Sequence, residues 1–89
     1  MREHSLEIIN RLGLHARAAA KFSTTASQFS CQIRVQYQGK IVNGKSIMGL
    51  MMLAAARGTQ ILVTVDGSDE IEALQALSLL INNRFGEAE

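Results

Sequence analysis

The sequence predicts an α+β fold in two layers, with helices over one face of a sheet and water over the other. Three observations carry that reading. Cys31, Ile33, Val35 and Tyr37 alternate with Gln32, Arg34, Gln36 and Gln38, the pattern of a strand with one dry and one wet face. Three stretches repeat apolar residues at helical spacing. The elements follow the order strand, helix, strand, strand, helix, strand, helix. Order alone does not fix topology, because a ferredoxin-like sheet shares the first six elements.

Leu6 and Ile8 flank Glu7 and predict a first strand near residues 4–10. Residues 11–14 form a loop containing Gly13. Residues 16–28 read as a helix, since Ala19, Phe22, Ala26 and Phe29 recur at spacings of three and four. Its Ser- and Thr-rich second half leaves the end open. The strand Cys31–Gln38 turns at Gln38-Gly39 and returns as Lys40-Ile41-Val42, an antiparallel hairpin. Ser46 is a good N-cap for a second helix over about residues 47–56, with Gly58 as its stop and Arg57 favourable to its dipole. Ile61 to Val65 is a further strand, and Asp66-Gly67-Ser68 a turn. Asp69 can cap a third helix, with Glu72 completing a capping box. Ile71, Leu74, Leu77 and Ile81 mark its buried stripe, which Leu80 widens.

At 89 residues the chain suffices for one domain, spanning 1–89. A domain so small buries about 60% of the surface its unfolded chain exposes. With 47% hydrophobic but 4% aromatic residues, aliphatic side chains must fill the core. A net charge of +1 and scattered aromatics (Phe22, Phe29, Tyr37, Phe85) argue against nucleic-acid binding. The lone Cys31 cannot form an internal disulfide, which points to the cytoplasm and reads as core rather than reactive thiol. The sequence shows no signal peptide and no long apolar stretch for membrane insertion. Monomeric behaviour is expected.

Gly13-Leu14-His15-Ala16-Arg17 is the first candidate site. A histidine at a helix start faces unpaired N–H groups and the positive end of the dipole, a place that accepts phosphate. The bland alternative is a histidine that merely caps the helix. Arg17, two residues on, can fold back towards anything bound at His15. That cation and the dipole disfavour an imidazolium and leave an imidazole nitrogen free as a nucleophile. The backbone N–H groups of Ala16 and Arg17 could then bind the oxygens of an attached phosphoryl group, with the guanidinium adding charge-assisted bonds. An exposed site suits a carrier, which must release what it holds. No Ser-His-acid set and no metal motif exist, and no cofactor is implied; His4 reads as a solvated strand residue.

Ser46 is the second candidate. Capping explains it, and a phosphate there would also suit a helix N-terminus while altering the approach of partners. The third is Ile47-Met48-Gly49-Leu50-Met51-Met52-Leu53, apolar nearly all round. Either some of Ile47, Met48 and Met51 face outward as an adaptable docking patch, or the helix is unusually well buried.

Gly13-Leu14-His15-Ala16-Arg17 together with Asn43-Gly44-Lys45-Ser46-Ile47-Met48-Gly49-Leu50-Met51 resembles the HPr family. These are the histidine-containing phosphocarriers of the bacterial phosphoenolpyruvate-dependent phosphotransferase system. The resemblance covers essentially the whole chain. It implies an open-faced β-sandwich, a four-stranded antiparallel sheet of order 1-4-2-3 covered on one face by three helices. It implies that His15 takes a phosphoryl group on Nδ1 from phosphorylated enzyme I and donates it to the A component of a sugar permease, assisted by Arg17. Ser46 matches the serine that HPr kinase/phosphorylase modifies in many bacteria, and Ile47, Met48 and Met51 match the apolar docking surface. Such a protein is an intermediate in transfer rather than a stand-alone enzyme.

One position departs from the family pattern. Ala18 stands where the family usually has proline, which leaves a free N–H and a looser helix start. It keeps open the nitrogen-related phosphocarrier as an alternative branch. A second alternative is a regulatory binding module whose output is set at Ser46. A third, a ferredoxin-like interaction or RNA-binding domain, fits poorly with the lack of basic excess and of strand aromatics.

Overall fold

Apolar residues at every second position form strands, and those at every third or fourth form helices, in the computed structural model of residues 1–89. The elements are β1 (Arg2–Glu7), α1 (Ala16–Ala26), β2 (Gln32–Tyr37), β3 (Lys40–Asn43), α2 (Ile47–Leu53), β4 (Gln60–Asp66) and α3 (Glu70–Asn82), with a short 3-10 turn at Arg84–Gly86. The four strands form one antiparallel sheet in the order β1-β4-β2-β3. This is the 1-4-2-3 order that the resemblance implies, and it resolves the topology that element order left open.

Register puts one apolar row on one face. Val35 lies opposite Val42 on one side and Val63 on the other. Ile33, Val35, Ile61, Val63 and Val65 are buried, while Gln32 and Arg34 between them are exposed. Phe22 and Ala19 of α1, Leu50 and Leu53 of α2, and Leu77 and Ile81 of α3 close over that face, giving a core of 20 buried residues. Each fully buried large side chain contributes about 1.5–3 kcal/mol.

Several boundaries differ from the sequence reading. β1 ends at Glu7, because the amide of Ile8 bonds the Thr59 carbonyl and its own carbonyl accepts from Gly58, outside the ladder. The helix expected to reach residue 28 ends at Ala26, where Gln28 and Phe29 donate three residues back in a tightened last turn. α2 stops at Leu53, not near Gly58. Ala54 takes the left-handed conformation (φ 53°) that usually falls to glycine, and Gly58 sits in the next turn. At α3, Asp69 occupies the N-cap position but caps nothing, and no capping box with Glu72 forms. The Asp69 carboxylate instead accepts from the amides of Ser30 and Cys31.

The α3 stripe is also rotated. Ala73, Leu77 and Ile81 are buried, Leu74 and Leu80 are half-buried, and Ile71 is 46% exposed. A small residue at 73 lets the helix lie close to the sheet and turns Ile71 outward. Phe85, noted in the sequence only as a scattered aromatic, is fully buried from the left-handed region (φ 54°). No helix is long and apolar enough to cross a membrane.

Candidate functional site

Gly13 is required by its surroundings. Its φ is +68°, and a Cβ there would lie 2.6 Å from the Ala55 carbonyl oxygen. That close approach lets Leu14 donate to the same oxygen at 2.9 Å and bury its side chain. The residue before the candidate histidine is thereby fixed against the end of α2.

His15 follows as the N-cap residue of α1, with an extended backbone (φ −80°, ψ −178°) and a carbonyl that accepts from Ala19 at 2.8 Å. Its side chain does not cap the helix. Imidazole Nε2 lies 2.5 Å from Oε2 of Glu87, 72 positions away. A carboxylate accepts hydrogen bonds only, so it takes the Nε2–H, and in the neutral ring the lone pair then falls on Nδ1. Nδ1 has no hydrogen-bond partner in the protein. The sequence reading placed only a cation and a dipole beside this ring; the structure adds an anion on it.

Glu87 is itself held. Its Oε1 accepts from Asn10 Nδ2 at 3.1 Å, and the same nitrogen donates to the Gly13 carbonyl at 2.7 Å. Burial pulls the Glu87 carboxyl up, but the hydrogen bonds from His15 and Asn10, with the charge of Lys21 and that of the His15 ring when it is protonated, outweigh it and hold it below the usual carboxylate range. Asn10 is fully buried, and its Oδ1 has no partner. The tail that delivers Glu87 is fixed by the Phe85 side chain in the core and by Lys21 Nζ donating to the Phe85 carbonyl at 2.5 Å.

An open cleft of about 660 Å³ lies over the ring, lined by Arg11, His15, Ala16, Arg17, Glu87 and Glu89 among others. The amides of Ala16, Arg17 and Ala18 donate to no carbonyl. Arg11 pairs with Glu89 at 3.4 Å, whereas Arg17 is exposed and makes no ion pair. Of the residues with these free amides, Ala16 and Arg17 line the cleft, which therefore offers their unspent N–H donors and a free guanidinium beside an unpartnered ring nitrogen. It can receive an oxyanion next to a nucleophile. The free amide expected of Ala18 is present.

Ser46 is the N-cap of α2, and its Oγ accepts from the Gly49 amide at 3.0 Å. The neighbouring Lys45 carbonyl accepts from Ser23 Oγ of α1 at 2.7 Å, which ties this loop to the helix that carries His15. The apolar residues of α2 divide between the core and the surface. Leu50 and Leu53 are buried, while Ile47 (42%), Met48 (71%) and Met51 (42%) are exposed, joined by Met52 (68%). His4 is exposed on β1, away from the cleft residues. Burial pushes the Cys31 thiol up, with Asp69 adding to the effect, consistent with a core cysteine. No cluster of three or more His, Cys, Asp or Glu could hold a metal ion.

Sequence reasoning missed Asn10, Glu87 and the tail. No periodicity marks them. The one signal was a lone aromatic, Phe85, in an otherwise polar terminus, followed directly by Gly86-Glu87.

Both the sequence and the fold match known proteins. A family model described as "PTS HPr component phosphorylation site" matches residues 2–83. The chain is 61% identical to phosphocarrier protein HPr of Neisseria meningitidis serogroup A over 89 residues, all of both chains. It is 54% identical to the protein of that name from Xylella fastidiosa over 87 residues, 98% of both. Among solved structures, HPr-C-His from Thermoanaerobacter tengcongensis superposes with a TM-score of 0.96 at 49% identity, covering both chains completely.

Proposed function

The chain belongs to the HPr family of phosphotransferase-system phosphocarriers, and from that premise we propose that His15 accepts a phosphoryl group on Nδ1 from phosphorylated enzyme I and passes it to the A component of a sugar permease. The observation that carries this reading is the His15 ring, held through Nε2 by Glu87 with Nδ1 unpartnered beside a helix N-terminus. The Nδ1 lone pair forms the N–P bond as the donor's bond to phosphorus breaks. No proton has to leave the attacking nitrogen, because the ring proton sits on Nε2. The amides of Ala16 and Arg17 and the Arg17 guanidinium meet the phosphoryl oxygens. The openness of the cleft suits onward transfer, since a buried phosphoryl group could not be passed on.

Ile47, Met48 and Met51 form the apolar part of the surface on which partners dock. Ser46 serves as a second control point. A phosphate on its Oγ would add about −1.5 to −2 charges beside those residues, placed there by an HPr kinase/phosphorylase. The whole chain, 1–89, acts as one monomeric cytoplasmic domain that neither binds nucleic acid nor inserts into membranes. Its role is that of a transfer intermediate rather than an enzyme.

Incubation with enzyme I and phosphoenolpyruvate should yield an acid-labile, base-stable phosphoprotein, and His15→Ala should abolish it. Undiminished labelling of His15→Ala would sink the assignment.

A further inference from the structure

We propose that Glu87 is a positioning residue that sets the tautomer of His15, and that Asn10 sets the polarity of their contact, so that this pair selects which ring nitrogen reacts. The proposal rests on the phosphocarrier reading of His15.

Three bonds in series support it. Asn10 Nδ2 donates to the Gly13 carbonyl at 2.7 Å and to Glu87 Oε1 at 3.1 Å, and Glu87 Oε2 meets His15 Nε2 at 2.5 Å. Asn10 is fully buried and cannot turn over, since that would set its Oδ1 against the Gly13 carbonyl. Its orphaned Oδ1 is consistent with an amide oriented by these two acceptors alone. Asn10 therefore always presents a donor to Glu87. A carboxylate tolerates that, because both its oxygens accept, and its second oxygen demands an N–H from the ring.

A glutamine at 87 would behave differently. Its single oxygen would be claimed by Asn10, which turns its NH2 towards Nε2. The ring nitrogen must then accept, and the one ring proton moves to Nδ1. The isosteric change thus reverses the tautomer and blocks the nucleophile. Alanine at 87 removes the bias without reversing it. The order of phosphoryl acceptance is therefore wild type, then Glu87→Ala, then Glu87→Gln. A merely structural role would rank glutamine above alanine.

The test is a long-range 1H–15N correlation on 15N-histidine-labelled protein at alkaline pH. No phosphoryl donor is present. Nε2–H is expected in the wild type and Nδ1–H in Glu87→Gln. The rate of phosphoryl acceptance from enzyme I and phosphoenolpyruvate should fall in Glu87→Gln roughly in proportion to its residual competent tautomer. An Nε2–H ring in Glu87→Gln, or acceptance by Glu87→Gln faster than by Glu87→Ala, overturns the proposal. Should the tautomers behave as expected while the wild type takes no phosphoryl group, the tautomer assignment stands and the phosphocarrier reading fails.

Discussion

The Asp69 carboxylate at the start of α3 receives the backbone N–H of Cys31 at 2.9 Å, and with its other oxygen that of Ser30 at 2.8 Å. An acid placed at a helix N-terminus thus pins the start of a strand 38 positions earlier. The Ser30 amide bond, followed by the bonds from Cys31 and Ser30 Oγ, holds the carboxyl below its ordinary value despite the opposing effect of burial.

A carboxyl depressed in the fold stabilises it above the ordinary value and gives that stabilisation up as pH falls towards the folded-state value. Asp69 should therefore protect the fold at neutral pH and lose its effect on acidification below 3.8. Asp69→Asn, whose NH2 cannot replace the second accepting oxygen and so leaves one of the two amides unpartnered, is expected to melt lower than wild type at neutral pH. Thermal melts across the acid range should show the two Tm values converging as pH drops. Glu70 and Glu87 are also depressed and titrate in both proteins, so the difference between the two curves isolates Asp69. Parallel curves would contradict the assignment.

Ala54 ends α2 at φ 53°. That conformation costs an L-residue with a Cβ about 1–2 kcal/mol, and glycine's extra unfolded-state freedom offsets up to about 1 kcal/mol of it. Ala54→Gly is therefore expected to stabilise by about 0.5–1 kcal/mol, seen in denaturant as a higher midpoint at constant slope. A lower midpoint would show that the left-handed turn is held there without strain.

The same residue marks where sequence reasoning stops. Strand alternation, the Ser46 cap and the His15 motif are local patterns, and each could be read directly. The stop of α2 could not, because the left-handed turn at Ala54 is set by a tertiary contact, the Leu14 amide on the Ala55 carbonyl. Asp69 looked like a cap because its type and spacing fit one, yet two free amides at the start of β2 compete for its oxygens and win. Ile71 failed for geometric reasons: Ala73 packs against the sheet and rotates the stripe. Glu87 lay furthest out of reach, since only the packing of Phe85 and the buried Asn10 bring the terminus back to residue 15.

Two substitutions at Ser46 separate capping from regulation. Ser46→Ala leaves the Gly49 amide without its acceptor and should cost about 1 kcal/mol, a Tm loss of about 4–8 °C for a domain of this size. Asp is as good a cap and places a favourable charge at the helix start, so Ser46→Asp should stay within about 0.5 kcal/mol of wild type. If the regulatory reading holds, Ser46→Asp nevertheless weakens binding to enzyme I or to the permease component, while Ser46→Ala does not. Unchanged affinity of Ser46→Asp for every partner removes Ser46 as a control point and leaves it a cap.

The apolar side of α2 offers the cleanest distinction between docking and folding. Met48 is 71% exposed and Met51 42%, while the helix is anchored by Leu50 and Leu53 beneath. Changing an exposed residue of this kind usually moves stability by less than about 0.5 kcal/mol, so Met48→Glu should melt with the wild type. A partner that covers Met48 would have to desolvate the new charge, and a central contact of this kind commonly carries 1–2 kcal/mol or more of binding. The KM for enzyme I should therefore rise roughly tenfold, with the rate at saturation unchanged because the His15 cleft is untouched. Met51→Glu should act in the same direction. An unaltered KM in both variants would mean that partners approach His15 without crossing α2, and that the exposed methionines need another explanation.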